Sequence, residues 1–359
     1  MATPQEYPID IYRQWQKEEG LPVITGLYVQ DLKKVELGPW KRRGGMGTFI
    51  NLQGSGDVDD AYICEIPPGK SLNPERHLFE ELIFVLKGRG ATTVWADNGG
   101  GQQTFEWQEG SLFAIPLNAR HQHFNGQGSE AARYVAITDA PLMMNLFHNL
   151  DFIFDNPFRF TDRFHGEEGY FSGKGHWLWH GHMETNFVPD LRRAEMLSTP
   201  SRGKDNKHLG FQLSDGLMYS FIAEFPIGTY KKAHRHGPGA HIIILSGQGF
   251  SLLWPEGKEK IRVNWQPGTM IVPPQMWFHQ HFNTGGEPAR YLAMLMHSGG
   301  KYYISSTLFP KEVGVSLKEG GQQIEYEDEA PQIHRSFEEE LKKNRAACAM
   351  KGVVPWCTA

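Results

Sequence analysis

Residues 109–128, EGSLFAIPLNARHQHFNGQG, are answered further along the chain by residues 267–286, PGTMIVPPQMWFHQHFNTGG. The two stretches align without a gap, pairing Pro116 with Pro274, His121 with His279 and Asn125 with Asn283 at an offset of 283 − 125 = 158. Working outward, HLFEELIFVLKGRG (77–90) is echoed by HGPGAHIIILSGQG (236–249), and EAARYVAI (130–137) by EPARYLAM (287–294). Gly88 and Gly90 fall on Gly247 and Gly249, an offset of 247 − 88 = 159. A repeat on this scale means that the chain builds one architecture twice.

Each unit is made of short runs rich in β-branched and aromatic residues, such as YICEIPPG, LIFVLKG, TTVWAD, SLFAIP and RYVAIT, broken by Gly, Pro and Asn. That pattern predicts an all-β fold, each unit an antiparallel barrel or sandwich, with helices only at the periphery. Residues 8–19 (PIDIYRQWQKEE) and 336–350 (SFEEELKKNRAACAM) read as those helices, the second opening on a Ser-x-x-Glu capping box. The expected organisation is an arm (1–50), a first barrel (51–140), an aromatic connector (141–205), a second barrel (206–300) and a tail with a helix (301–359). The connector is too rich in Phe, Trp and Tyr to lie free in solvent. It should pack on the barrels or between subunits, which with the barrel edges suggests a symmetric homo-oligomer, a dimer or higher.

With 359 residues, 40% of them hydrophobic, the chain can fill two cores without cross-links. Cys64, Cys348 and Cys357 are too few and too scattered for a disulfide framework and read as reduced thiols. The polar N-terminus and the lack of a long apolar stretch point to a soluble cytoplasmic protein with no membrane partner. A net charge of −5 with interspersed signs excludes the basic footprint of a nucleic-acid binder.

The chemistry lies in His234-Arg235-His236 and in His279. Residues two apart on a strand share a face, so His234 and His236 should both look into the barrel and Arg235 away from it. With Gly228 before them, and with Gly268, Pro274 and Asn283 around His279, these residues resemble the two motifs of the cupin superfamily, roughly G-x5-H-x-H-x3/4-E-x6-G and G-x5-P-x-G-x2-H-x3-N. The resemblance implies two jelly-roll barrels and a transition metal held by His234, His236 and His279, with imidazole bonds of about 2.0–2.1 Å and open positions left over. The family's glutamate is replaced by Ala240, with His241 beside it as a possible fourth ligand. In the first unit Glu75, His77, Glu81 and His121 occupy the equivalent places, either a second site for a harder metal or a degenerate one.

Three histidines without a carboxylate resemble the Fe(II) centres of gentisate-type bicupins. The resemblance implies a non-haem dioxygenase that takes O2 and a small-molecule substrate, a hydroxylated aromatic acid or related enol, and cleaves a C–C bond. Mn, Ni or Zn could replace Fe(II), and a Mn- or Zn-dependent decarboxylase, lyase or isomerase is the alternative, with a non-enzymatic ligand-binding or storage bicupin as the third. In that family the working site is usually in the first barrel, whereas here the second is the more complete. His281, like its twin His123, points inward as an acid/base group or a hydrogen-bonded core residue, and His241 or His281 could donate a proton. Gln275 and Trp277 precede His279 at the barrel mouth, where a flat substrate could stack. Arg235 and Lys232 are the candidates to meet a substrate carboxylate, though alternation turns Arg235 outward. Arg133 and Arg290 recur and so serve the scaffold, Asn125 and Asn283 close turns, and HGHMET (180–185) mimics a metal motif without its context.

Overall fold

The structure, a computed structural model, describes residues 8–96, 101–296, 300–305 and 312–357. It contains two jelly-roll barrels built to one plan. In the first, strands Gly45–Leu52, Asp60–Ile66, Ala132–Thr138, Glu81–Lys87 and Leu112–Ala114 lie side by side in one sheet, facing a second sheet of Arg120–Asn125, Arg89–Trp95 and Gln102–Gln108. The second barrel repeats this order with Lys207–Gln212, Met218–Phe225, Ala289–Met296, His241–Ser246 and Met270–Ile271 against Ile261–Trp265, Gly249–Trp254 and Phe278–Asn283.

The two barrels exchange strands. Tyr28–Val29 of the N-terminal arm pairs with Met270–Ile271 in the second barrel, and Phe187–Val188 of the connector pairs with Leu112–Phe113 in the first. The exchanged strands are themselves repeat mates, 187 − 28 = 159 residues apart. The recurring arginines lock this exchange. Arg133 bonds Glu65 and the carbonyl of Lys33, and Arg290 bonds Glu224 and the carbonyl of Arg192. A single apolar core runs between the barrels, from Ile50, Ile63 and Val135 to Ile222, Leu292 and Met294.

The second glycine of each recurring pair is required by close approach: a Cβ on Gly90 would lie 2.0 Å from the carbonyl oxygen of Phe124, and one on Gly249 1.9 Å from that of Phe282. Asn125 and Asn283 close turns, their amides donating to the carbonyls of Glu130 and Glu287.

The N-terminal helix spans Ile11–Glu19, capped by Asp10 and ended by Gly20 at φ 70°. The C-terminal helix differs from the expectation. It spans Pro331–Asn344, so Ser336 lies inside it and caps nothing. Proline at the first helical position lacks only an N–H that has no helical partner there, and the buried stripe Ile333, Phe337, Leu341 starts before Ser336. The connector buries Phe164, Phe171 and Phe187 on the first barrel, with Phe171 stacked on Phe105 at a centroid distance of 4.0 Å, while Phe158, Trp177 and Trp179 stay exposed. Among the described residues no helix is long and apolar enough to cross a membrane.

Candidate functional site

His279 lies on the strand Phe278–Asn283, and its backbone forms a reciprocal pair with His234: His234 N–H donates to the carbonyl of His279 at 3.1 Å, and His279 N–H to that of His234 at 2.9 Å. The second motif thus brings its histidine beside the first on a neighbouring segment. Ring centroids are 4.2 Å apart for His234 and His279, 4.6 Å for His236 and His279 and 5.7 Å for His234 and His236. One donor atom from each ring lies within 4.8 Å of the other two. Every Nδ1 faces a backbone carbonyl, that of Lys232 for His234, Gly237 for His236 and Trp277 for His279. A ring that donates its Nδ1 proton in this way keeps the Nε2 lone pair for a metal. Burial also holds His236 down to about 4 and the other two well below the usual histidine range, so all three are neutral, as ligation demands. The donor set therefore fits a transition metal.

The structure does not bring His241 to this group. Ala240 and Ile242 line the cavity, so alternation along the strand turns His241 to the opposite face, with Nε2 3.5 Å from Ser55 Oγ and Nδ1 3.9 Å from Asp59. It can be neither a fourth ligand nor a proton donor to the cavity. His281 does line the cavity, with Nδ1 2.7 Å from Ser251 Oγ. Burial, with Lys231 and Arg202 nearby, holds its ring down to about 3, which makes it a neutral, hydrogen-bonded imidazole and not an acid at neutral pH.

Gln275 and Trp277 are also displaced from their expected role. Met276 between them sits in a turn at φ 58°, Gln275 is exposed, and Trp277 packs on the barrel core, so neither lines the cavity. The cavity, about 400 Å³, is instead walled by Tyr219, Phe221, Ile242, Tyr291, Ala293 and Leu295, and two basic residues face it, Arg202 and Lys231. Arg235 points away, to Glu256 and Gln322, and Lys232 pairs with Glu325. In HGHMET, Glu184 pairs with His176 and Lys301, but His182 reaches the cavity wall.

The sequence reading missed Arg202. A signal was there, since Arg43-Gly44 and Arg202-Gly203 are repeat mates, 202 − 43 = 159. In the first barrel Arg43 is buried and bonds Glu81 at 2.8 Å and Glu75 at 3.1 Å, along with the hydroxyls of Tyr62 and Tyr134. Burial opposes charge on the carboxylates, yet Arg43 and Arg42 hold Glu75 down to about 2, and Arg43 with His77 holds Glu81 well below its usual range. Donors of Glu75, His77 and His121 converge within 4.8 Å, so this site too has metal-type geometry, but a guanidinium already supplies a cation there. The second barrel has His234 and Ala240 where the first has those glutamates. Arg202 consequently meets neutral partners, the carbonyl of Val313 and the amide oxygen of Gln323.

The neutral buried histidines set a pH limit. His121, His236 and His241 fold with values of about 4, chiefly through burial, whereas the unfolded chain takes up these protons at about pH 6.5. Stability is therefore complete above the unfolded value and is lost as pH falls through the folded one. The urea midpoint of metal-free protein should drop steadily from pH 6.5 toward pH 4, and a flat midpoint across that interval would contradict the neutral assignment.

The cupin domain family matches residues 62–138 of the chain. Over 100 residues the chain is 36% identical to a glucose-6-phosphate isomerase of Thermococcus gammatolerans, covering 26% of this chain and 50% of the relative. Over 101 residues it is 31% identical to a 5-aminosalicylate 1,2-dioxygenase of Comamonas sp, covering 27% of this chain and 25% of that protein. The chain thus spans about half the length of the isomerase and a quarter of the dioxygenase. A solved variant of Bacillus subtilis oxalate decarboxylase superposes with a TM-score of 0.50 at 14% identity, covering 85% of this chain and 87% of that one, a likeness of fold.

Proposed function

We propose that this chain, which has the fold of two tandem cupin barrels, holds in its second barrel the active centre of a metal-dependent dioxygenase, with Fe(II) on His234, His236 and His279 and a small hydroxylated aromatic acid as substrate. The observation that carries this reading is Arg202. It faces a largely apolar cavity beside three imidazoles, and the carboxylates that engage its repeat mate Arg43 are absent around it. An unneutralised cation in such a place is costly unless an anion arrives, and a substrate carboxylate is the anion that fits. Likeness to a 5-aminosalicylate dioxygenase supports an aromatic acid, while likeness to a glucose-6-phosphate isomerase makes a sugar phosphate the alternative anion.

Burial lowers Arg202 only to about 10, so it keeps its charge at neutral pH and can orient the carboxylate. Burial, with Arg202 beside it, holds Lys231 well below the usual lysine range, and an incoming anion would favour its protonated form. Lys231 Nζ lies 2.7 Å from Tyr291 Oη. The Tyr291 phenol, pushed up to about 12 by burial, retains a proton that it can donate to an oxyanion in the cavity. Phe221, Ile242, Ala293 and Leu295 keep the site dry, which strengthens each of these interactions. Bound Fe(II) would supply Lewis acidity and a seat for dioxygen.

Iron-loaded protein should consume O2 with one of a panel of hydroxy- and aminobenzoates. Release of CO2 from a small dicarboxylate by manganese-loaded protein, without O2 uptake, would replace this reading with a decarboxylase. Arg202→Gln should raise KM for the carboxylate substrate by roughly 10- to 100-fold with a smaller change in kcat, as loss of a hydrogen bond to a charged group costs about 1.5–3 kcal/mol. An unchanged KM would remove Arg202 from the binding site.

A further inference from the structure

The C-terminal tail gathers four side chains that the barrel chemistry does not use. His334 and Glu338 stand one turn apart on the helix Pro331–Asn344, and the chain after it folds back to lay Cys348 and Cys357 beside them. One donor atom from each of the four lies within 4.8 Å of all the others. The two sulfurs are 3.5 Å apart, His334 Nε2 is 3.1 Å from Glu338 Oε1, and Cys357 Sγ is 4.0 Å from that same oxygen.

We infer that His334, Glu338, Cys348 and Cys357 form a tetrahedral zinc site, separate from the barrel centres, that clamps the tail onto the outer wall of the second barrel. Zinc bonds of about 2.3 Å to sulfur and about 2.1 Å to nitrogen or oxygen would set the two sulfurs roughly 3.8 Å apart and the imidazole nitrogen roughly 3.4 Å from the carboxylate oxygen. The present separations are within a few tenths of an ångström of these values. Two thiols with one imidazole and one carboxylate are a zinc-type donor set. The imidazole is also oriented for the purpose. Without an ion, His334 Nε2–H donates to Glu338 at 3.1 Å; the Tyr230 oxygen, whose own proton goes to Glu329 at 2.7 Å, lies 3.2 Å from His334 Nδ1 and can accept from it in the tautomer that frees Nε2 for a metal. On binding, two Zn–S bonds form and the two thiol protons pass to the solvent.

The clamp has something to hold. Ile333, Phe337, Leu341, Met350 and Val354 of the tail pack on Tyr230, Phe250 and Phe282 of the barrel, and Ala349 N–H donates to the carbonyl of Gly228. A disulfide between Cys348 and Cys357 is the competing occupant, and it would use neither His334 nor Glu338.

Cobalt is the probe that separates these cases, because thiolate ligands give it an intense near-ultraviolet charge-transfer absorption that an all-histidine centre lacks. Full-length protein purified under reducing conditions should carry one zinc beyond the barrel metal, and cobalt exchange should produce that absorption. The double variant Cys348→Ser/Cys357→Ser should lose both the zinc and the absorption, while His236→Ala should keep both. Chelation should speed tryptic cleavage at Lys342, Lys343 and Lys351 by roughly tenfold, as removal of a bound ligand releases the segment it stabilised. Wild-type protein without the charge-transfer absorption would overturn the inference. So would mass spectrometry that finds Cys348 joined to Cys357 in the reduced preparation.

Discussion

Replacing His236 by alanine should leave the second barrel unable to retain its metal ion through desalting. The site offers three imidazoles and no carboxylate, so each supplies a third of the protein's bonds to the ion. Even the hydrogen-bonded partners that orient a ligand are worth about 10- to 100-fold in metal affinity, and removal of a ligand itself should exceed that. His279→Ala should have the same effect on iron content. The backbone pair between residues 234 and 279 does not depend on side chains, so the barrel should stay folded and the circular dichroism unchanged. His241→Ala makes the sharpest contrast. It removes a histidine that the motif spacing also nominates, yet His241 faces Ser55 and Asp59 on the other side of the sheet, so barrel metal should be kept while stability falls. Iron retained in His236→Ala would remove the metal from the second barrel altogether.

The contrast between His236 and His241 marks where sequence and structure part. The repeat announced the barrels because it pairs turn residues, and Asn125, Asn283, Gly90 and Gly249 have the same structural job in both units. The convergence of His234, His236 and His279 was legible because their spacing belongs to a motif. Alternation along the chain placed His234, Arg235 and His236 correctly but failed for the residues just before them. The segment 230–236 forms no continuous strand and pairs with its neighbours through isolated bridges and single backbone hydrogen bonds, and within it Lys231 and His234 both reach the cavity although three positions apart. Lys231 therefore faces the cavity where Lys232 was the candidate. Gln275 and Trp277 were misplaced by the turn at Met276, which no spacing rule foresees. Arg202 comes from a short 3-10 turn in the connector, outside either motif, and only its repeat mate Arg43 could have drawn attention to it.

Arg43→Met should destabilise the protein by about 3–5 kcal/mol at neutral pH, the usual result of stranding a buried charge after its partner is removed. Here Glu81 loses its guanidinium outright, and Glu75 is left with Arg42 alone, which it shares with Glu19. In the wild type Glu75 titrates at about 2, below its unfolded value, so it adds stability above the unfolded pKa that is lost as pH falls. Without the guanidinium, burial pushes the carboxyls up instead, and the deficit in urea midpoint should shrink as the solution is acidified and they become neutral. Restoring charge balance by a second change, Glu81→Gln, should recover part of the loss. A further consequence separates an internal counter-ion from an ordinary buried salt bridge. His77 Nε2, His121 Nε2 and Glu81 Oε2 have no hydrogen-bond partner, and Glu75, His77 and His121 already converge. With Arg43 gone, added Mn2+ should therefore bind in the first barrel of the variant and raise its urea midpoint, while the wild type, neutralised from within, should gain less at that site. Equal gains in both proteins would show that Arg43 does not stand in for a metal ion.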